Sequence, residues 1–316
     1  MSISIEDVRT AAKRIREHVV RTPCIPSESL SKELGCQLHF KAENLQHISA
    51  FKARGATNAV FALPDTDSAK GVVTHSSGNH AAALSRAASL RGIPAHVVMP
   101  HNSAPNKIET VRSFGVEPVL SEPDAKSRAS TCADLQQKTG ATFIHPYDNP
   151  FVMAGQGTVG LEILDQVPDT DVVLVPVGGG GLLSGVLTAI KAIKPDVQVI
   201  AAEPEWADDA ARSMKSGKIE MPTRYDTVAD GLRTPLGDLT FPIIKTLLDD
   251  IILVGEDEIR TATRTIAEQA HLVAEPSGAV TFAAVRKSAD RFADKTVVAV
   301  ISGGNLDFGN CALGNS

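Results

Sequence analysis

The sequence predicts an open α/β architecture in which strands and helices alternate. Three observations support this prediction. Short apolar segments alternate with longer helix-like segments along most of the 316 residues, as in chains that build parallel sheets with crossover helices. Several apolar segments are continuous rather than alternating, which suits strands covered on both faces. No internal repeat or Gly/Ser-rich linker divides the chain, although its length allows about two domains.

The predicted elements follow one another in a regular order. Ser4 is predicted as the N-cap of a first helix, with Asp7 three residues later and an apolar face along residues 8–19. The predicted strands are Gln37–Ala42, Gly71–His75, Ala95–Met99, Val116–Leu120, Val172–Val177, Val197–Ala202, Ile251–Val254 and Thr296–Ile301. The further predicted helices are Lys52–Leu63, Asn79–Arg91, Lys107–Phe114, Lys126–Lys138, Thr158–Val167, Leu182–Ile193, Glu256–Ala270 and Ser277–Phe292. Open α/β sheets bind ligands at the carboxyl ends of their strands, so candidate functional residues are sought there.

The bulk composition argues against several classes of function. The net charge of −6 gives no basic surface, so no nucleic acid is expected as a partner. No apolar segment reaches the roughly 18 residues of a membrane span, and the N-terminus has no apolar signal core, so a cytoplasmic protein is expected. The cysteines have neither zinc-site nor CxxC spacing. Reduced thiols are expected at Cys24, Cys36, Cys132 and Cys311.

A glycine loop is the first candidate for binding. Gly178–Gly181 directly follows the predicted strand Val172–Val177 and precedes the predicted helix Leu182–Ile193. Without Cβ atoms, the backbone N–H groups of such a loop can close around an anion, and the start of a helix adds partial positive charge. A phosphate group is the expected ligand, whereas a flexible turn is the simpler alternative.

A dinucleotide-binding loop is the competing functional interpretation. No frame fits GxGxxG, and the nearest frame, which starts at Gly179, has Ser184 in its last position. Glu203 ends a later strand near the ~20-residue spacing of a ribose-binding acid. An NAD-dependent oxidoreductase therefore stays open as an alternative.

Lys52 is the candidate for covalent chemistry. A lone lysine is usually a solvated surface residue. Here, however, Phe51 precedes it and the small residues Ala53, Gly55 and Ala56 follow, which predicts close packing at the start of a helix. Partial desolvation lowers the pKa of an amine, and such an amine can form a Schiff base.

Three segments in this order resemble the fold-type II pyridoxal-phosphate enzymes, which include serine racemases and serine/threonine dehydratases. The segments are Glu43–Gln46 with Ser49–Ala56, then His75–His80, then Gly178–Gly181, and the resemblance extends to Ser302–Asn305. It implies the tryptophan synthase β-like fold, with two open, twisted, mostly parallel sheets and flanking helices. Residues 1–64 and 148–316 would form a large cofactor domain and residues 65–147 a small inserted domain. A homodimer is also implied.

The resemblance assigns the pyridoxal 5′-phosphate contacts residue by residue. Lys52 would hold the cofactor as a Schiff base, and Gly178, Gly179, Gly180 and Gly181 would hold the phosphate. The ring would lie between Phe51 and Gly231, with Asn79 at the ring hydroxyl and Ser302 at the pyridine nitrogen. Because a hydroxyl stabilises a pyridinium less than a carboxylate does, Ser302 favours α-proton loss and β-elimination over chemistry that needs a long-lived carbanion.

The resemblance also assigns the substrate side to Ser76, Ser77, Asn79, His80 and Arg128. Racemisation requires a proton-transfer group on each face of the α-carbon, and Ser77 would serve the face opposite Lys52. The matching position is commonly alanine in threonine dehydratases and serine in serine racemases. This favours a serine racemase with side β-elimination of serine, although a helix cap is the simpler role for Ser77. An L-threonine/L-serine or 3-hydroxyaspartate dehydratase is the alternative.

A cation site is implied after the predicted strand Val197–Ala202. Carboxylate and carbonyl oxygens suit Mg²⁺ or Ca²⁺. On sequence alone, the acidic segment is a surface loop. The resemblance makes Glu203, the Ala207 carbonyl and Asp209 the metal ligands.

Overall fold

The computed structural model describes residues 3–306 of the chain, apart from the side chain of Ala125. Cys311 lies outside the described residues. The strands are β1 Cys24–Pro26, β2 Gln37–Ala42, β3 Val72–His75, β4 Ala95–Pro100, β5 Val119–Ser121, β6 Thr142–Phe143, β7 Val172–Pro176, β8 Gln198–Pro204, β9 Asp250–Val254 and β10 Thr296–Ile301. The α-helices are α1 Ile5–Ile15, α2 Glu28–Leu34, α3 Lys52–Ala62, α4 Asp65–Ser68, α5 Asn79–Arg91, α6 Pro105–Arg112, α7 Ala125–Thr139, α8 Pro150–Gln166, α9 Gly181–Ile193, α10 Asp209–Ser216, α11 Thr240–Leu247, α12 Glu256–Gln269 and α13 Pro276–Lys287. Within residues 3–306, no helix combines the length and the apolar character that a membrane crossing requires.

The larger sheet has six strands in the order β1-β2-β10-β7-β8-β9. Strand β1 is antiparallel to β2, and the other neighbours are parallel. Side chains of one strand alternate between two hydrophobic cores: Leu174 packs in one, whereas Val173 and Val175 pack in the other. The sheet is therefore covered on both faces, which explains why its strands are continuously apolar in sequence.

The smaller sheet has four parallel strands in the order β5-β4-β3-β6. All of them lie within the predicted inserted domain, residues 65–147. Helix α3, which precedes this segment, shares a hydrophobic cluster with it, since Ala56 and Val60 pack with Val72 and Leu84. The contacts thus cross the predicted boundary, and the domain limits stay a prediction.

The structure confirms the α/β fold class with two mostly parallel sheets. Ser4 caps α1, because its hydroxyl accepts the Asp7 N–H at 3.3 Å. Helix α8 starts eight residues earlier than predicted, and its glycines explain the difference. A Cβ on Gly155 would lie 2.7 Å from the Cα of Gly55, so this helix has glycine where two helices meet closely.

Candidate active site

The predicted functional residues gather at the carboxyl ends of the parallel strands. Ser76 follows β3, Gly178 lies two residues after β7, and Ser302 directly follows β10. The lysine segment is tied to this edge: the Phe51 N–H donates to the Ser302 carbonyl at 3.0 Å, and Ala50 pairs with Gly303 in an antiparallel bridge. The loop after β10 therefore fixes the start of α3, where Lys52 lies.

The Lys52 amine is enclosed without a carboxylate in contact. Its Nζ donates to the Pro146 carbonyl at 2.8 Å and lies 5.1 Å from the centre of the Phe51 ring. Burial lowers the pKa of Lys52 to about 8, although the more distant Glu275 carboxylate opposes that shift. A useful fraction of the amine is therefore uncharged near neutral pH, as a nucleophile or a base requires.

The glycine loop has the features of a phosphate site. No described carbonyl accepts a hydrogen bond from the N–H groups of Gly178, Gly179 or Gly180, which lie before α9. Gly180 has φ +84°, a left-handed conformation that favours glycine. A Cβ on Gly179 would lie 2.3 Å from the Tyr147 ring, so a larger residue cannot replace it without movement. Unpaired N–H groups at the start of a 13-residue helix suit an anion.

Three polar side chains meet near the lysine. Asn79 Nδ2 donates to Glu275 Oε1 at 2.9 Å, and Asn79 Oδ1 accepts from Asn305 Nδ2 at 2.9 Å. Burial, with the nearby Asp230 charge, raises the pKa of Glu275 to about 7. Asn79 is thus held in a fixed orientation at the start of α5. The sequence analysis did not single out Glu275, because a glutamate just before a helix that starts with Pro276 carries no distinctive motif.

The remaining predicted ring contacts are available for a planar cofactor. The Gly231 N–H donates to Ser277 Oγ at 2.9 Å, which fixes the turn that contains this glycine. Ser302 is buried, and no described residue hydrogen-bonds to its hydroxyl. That hydroxyl therefore stays free to meet a ring nitrogen. Together with the glycine loop and Lys52, these features fit pyridoxal phosphate.

The Ser76–Gly78 bend lies between β3 and α5. Gly78, not Ser77, is the N-cap residue of α5, and no side chain caps this helix. Ser77 is exposed, and no described residue hydrogen-bonds to its hydroxyl. The helix-cap alternative for Ser77 is therefore wrong, and the unpaired N–H groups at the start of α5 stay free for a carboxylate.

The two other predicted substrate residues differ in accessibility. His80 is buried, its Nε2 lies 3.3 Å from the Ile144 carbonyl, and its Nδ1 is enclosed without a partner among the described residues. A contact between His80 and the substrate would therefore depend on Nδ1. Arg128 lies on α7 and is half-buried, and its charge contributes to the lowered pKa of His75.

The predicted metal ligands cluster at the start of α10. Glu203 and Asp209 are buried, and Glu203 accepts from the N–H groups of Ala210 at 2.7 Å and Ala211 at 2.9 Å. Asp209 Oδ2 has no partner among the described residues. Burial raises the pKa of both carboxyls, that of Asp209 to about 7. Such buried oxygens fit a cation, although residues 3–306 hold no group of three or more His, Cys, Asp or Glu side chains suited to a metal.

Comparison with known proteins identifies the family. The family model described as pyridoxal-phosphate dependent enzyme matches residues 15–303. This chain belongs to the pyridoxal-phosphate-dependent enzymes. It is 48% identical to a β-hydroxyaspartate dehydratase of Paracoccus denitrificans, over 96% of each chain. It is 45% identical to a serine racemase of rice, over 96% of this chain and 91% of the relative. The solved structure of maize serine racemase matches with a TM-score of 0.95 at 44% identity, covering 98% of this chain and 95% of that one.

Membership of this family confirms the predicted cofactor class and the fold-type II resemblance. The NAD-dependent alternative loses its basis, because the family uses pyridoxal phosphate. Glu203, the proposed ribose-binding acid, instead holds the first N–H groups of α10.

Proposed function

We propose that this chain is a serine racemase that interconverts L- and D-serine by two-base α-proton exchange and releases pyruvate and ammonia from serine as a side reaction. The observation that best supports the proposal is the Lys52 amine, which has a pKa of about 8 and lies among free groups suited to pyridoxal phosphate. The relatives that are named serine racemases add support.

The chain's own residues would bind and orient the cofactor. The N–H groups of Gly178–Gly181 would hold its phosphate, and Phe51 and Gly231 would lie on the two faces of its ring. Asn79 would meet the ring hydroxyl and Ser302 the pyridine nitrogen. When bound, pyridoxal phosphate supplies the electron sink that makes the α-proton of an amino acid acidic.

Lys52 and Ser77 would exchange the α-proton on opposite faces. The uncharged Lys52 amine accepts or returns a proton on its face, and the Ser77 hydroxyl does so on the other. The free N–H groups at the start of α5, with Ser76, His80 and Arg128, would hold the substrate carboxylate. When the β-hydroxyl leaves after the α-proton, it takes the proton that the Lys52 amine has accepted and departs as water. The electron pair of the former Cα–H bond forms a Cα–Cβ double bond, and hydrolysis of the released product gives pyruvate and ammonia.

A divalent cation, Mg²⁺ or Ca²⁺, is proposed at Glu203, Asp209 and the Ala207 carbonyl. The unpaired Asp209 Oδ2 and the proximity of two buried carboxylates support this assignment. The division into residues 1–64 with 148–316 and residues 65–147, the homodimer and the cytoplasmic location are also proposed, from the sequence and the family resemblance.

The test is chiral analysis of L-serine turnover beside pyruvate release. In Ser77→Ala we expect D-serine formation to fall by about 10²-fold or more, because one of the two proton-transfer groups is lost. Pyruvate release from L-serine should persist, since Lys52 still takes the α-proton on its own face. The exposed Ser113→Ala variant, on the surface at the end of α6, should match the wild type. Racemisation that is unchanged in Ser77→Ala would contradict the two-base proposal.

A dehydratase is the second candidate function. The Arg128 charge acts on His75, which immediately precedes the predicted substrate residues Ser76 and Ser77, and a positive charge there suits the second carboxylate of 3-hydroxyaspartate. The Paracoccus relative is named for that substrate. Ammonia release from 3-hydroxyaspartate, threonine and serine, compared with D-serine formation, decides between the two. Fast release of ammonia without D-serine favours the dehydratase.

A further inference from the structure

His145 lies beside the Lys52 site but takes no part in the proposed two-base proton exchange. It follows β6 and precedes Pro146, whose carbonyl accepts the Lys52 Nζ hydrogen bond. Its ring makes edge-on contacts with His75 and with Tyr147, the residue that lies against the glycine loop. Because the neighbouring Pro146 carbonyl holds the Lys52 amine at 2.8 Å, His145 is next in sequence to a direct contact of the lysine, and the Lys52 charge helps to lower the pKa of the imidazole.

Backbone contacts fix the tautomer of the His145 ring. Its Nδ1 accepts the Asp148 N–H at 2.9 Å and the Tyr147 N–H at 3.4 Å. A nitrogen that accepts cannot carry the proton, so the neutral ring carries it on Nε2. Asp148 is itself anchored, because its Oδ1 accepts the Leu239 N–H at 2.8 Å and the Thr240 N–H at 3.3 Å next to the start of α11. The ring orientation is thus tied to a helix.

The Nε2–H group of His145 has no hydrogen-bond partner among the described residues, and the imidazole ring is neutral. The hydrogen bonds of the ring involve Nδ1, and no described residue hydrogen-bonds to Nε2, so this N–H group is available for an external acceptor. Burial, with the nearby His75 and Lys52 charges, lowers the pKa of His145 to about 4. The imidazole is therefore uncharged near neutral pH. A neutral imidazole donates a hydrogen bond well but does not give up its Nε2 proton.

We propose that His145 donates a hydrogen bond from Nε2 to the β-oxygen of the substrate, and so selects amino acids that carry a hydroxyl on the β-carbon. This role rests on the proposed function at Lys52. It makes His145 the group that recognises the β-hydroxyl of the substrate side chain. His145 is a substrate-binding residue in this role, and the leaving hydroxyl acquires its proton from the Lys52 amine, which has accepted the α-proton. A site that hydrogen-bonds a substrate hydroxyl discriminates against analogues that lack it.

The test uses two substitutions that distinguish the hydrogen-bonding roles of the two ring nitrogens. In His145→Asn, the amide oxygen can still accept the Asp148 N–H, but the donor at Nε2 is lost. In His145→Gln, the longer side chain returns an N–H donor near the Nε2 position. His39→Asn is the matched control, because His39 lies on β2 near Asp169, which precedes the opposite end of β7.

The readout compares a substrate that has the β-hydroxyl with one that lacks it. We expect His145→Asn to lower kcat/KM for L-serine about tenfold, the effect of one lost hydrogen bond. The α-proton exchange of L-alanine in D₂O should stay unchanged, since alanine has no β-oxygen. His145→Gln should recover most of the serine activity, and His39→Asn should match the wild type with both amino acids. Equal losses for serine and alanine in His145→Asn would overturn the proposal and indicate a positioning role only.

Two further measurements do not depend on activity. Nitrogen-15 NMR of the histidine rings in the cofactor-free protein should show one His145 tautomer, protonated on Nε2, from pH 6 to pH 8; an Nδ1–H tautomer would overturn the proposal. The affinity for pyridoxal phosphate should be the same in wild type and His145→Asn. If the wild-type protein neither binds pyridoxal phosphate nor turns over serine, the proposed function fails. If it does both and the serine/alanine difference is missing, only the His145 role fails.

Discussion

Lys41 is fully buried and Lys52 is half-buried in the same fold, and their amines have opposite surroundings. Lys41 Nζ donates to Glu162 Oε2 and to the Thr22 carbonyl, each at 2.6 Å. Lys52 Nζ donates to one backbone carbonyl, and no described carboxylate lies within ion-pair distance. A buried ammonium that is matched by a carboxylate holds the structure together. A buried ammonium without one has a lowered pKa and is available for chemistry.

Lys41 and Arg54 share ion pairs to Glu162, and Arg54 lies only two residues after Lys52. The Arg54 side chain is fully buried and makes ion pairs with Glu43 at 2.7 Å and with Glu162 at 2.7 Å. These contacts hold the first turn of α3 against the underlying chain. Lys52 therefore extends from a rigid backbone although its own amine is weakly paired. A rigid support of this kind keeps a reactive group in a productive geometry.

The largest expected effect is a difference in stability between the two lysines. Lys41→Met should lower the free energy of unfolding by about 3 kcal/mol, because it breaks a buried ion pair and removes one of the two side-chain donors to the Thr22 carbonyl. Lys52→Met should instead stabilise the cofactor-free protein at pH 7, since it removes a buried amine that has no carboxylate partner. Urea unfolding of both variants at equal pH measures the difference.

The stability that Lys52→Met gains should depend on pH in a defined direction. The pKa of Lys52 falls from 10.5 to about 8 on folding, so the folded state binds fewer protons than the unfolded state between these values. Stability contributed by this group therefore rises with pH in that window. The gain from Lys52→Met should be largest below pH 8 and shrink toward pH 10.5. A gain that is independent of pH contradicts the lowered pKa.

A smaller effect is expected near the start of α10, where the buried carboxylates Glu203 and Asp209 form no ion pair with a described lysine or arginine. Chelation by EDTA should lower the Tm by about 3 °C, and Mg²⁺ or Ca²⁺ should restore it, because a ligand that binds only the folded state stabilises that state. Asp209→Asn should remove this response. The Glu205→Gln variant, whose side chain pairs with Lys287 instead, should keep it. No change of Tm on chelation in the wild type would count against the cation site.

The fold could be predicted largely from the sequence because its strands are buried on both faces. Elements whose sequence signals are short or interrupted were missed. Strand β1, Cys24–Pro26, and strand β6, Thr142–Phe143, have three and two residues. Helix α8 was shortened in the prediction because the close contact at Gly155 requires a glycine inside a helix. Such requirements arise from tertiary packing and leave no periodic pattern.

The candidate site was predictable where one segment carries the chemistry, as in Gly178–Gly181 and the Lys52 segment. Site residues were harder to predict where their role depends on contacts with residues far away in sequence. Glu275 becomes notable only because Asn79, far away in sequence, donates to it. His145 becomes notable only because Asp148 and α11 fix its tautomer. No local motif marks these two residues.

The pH dependence of cofactor attachment tests the central claim most directly. Cofactor-free protein is mixed with pyridoxal phosphate between pH 6 and pH 10, reduced with borohydride at short times, and digested for peptide mass spectrometry. The attachment rate at Lys52 should rise about tenfold per pH unit and level off above pH 8, because only the uncharged amine attacks. A rate that keeps rising beyond pH 10, or attachment at another lysine in place of Lys52, would contradict the assignment of Lys52 as the reactive amine.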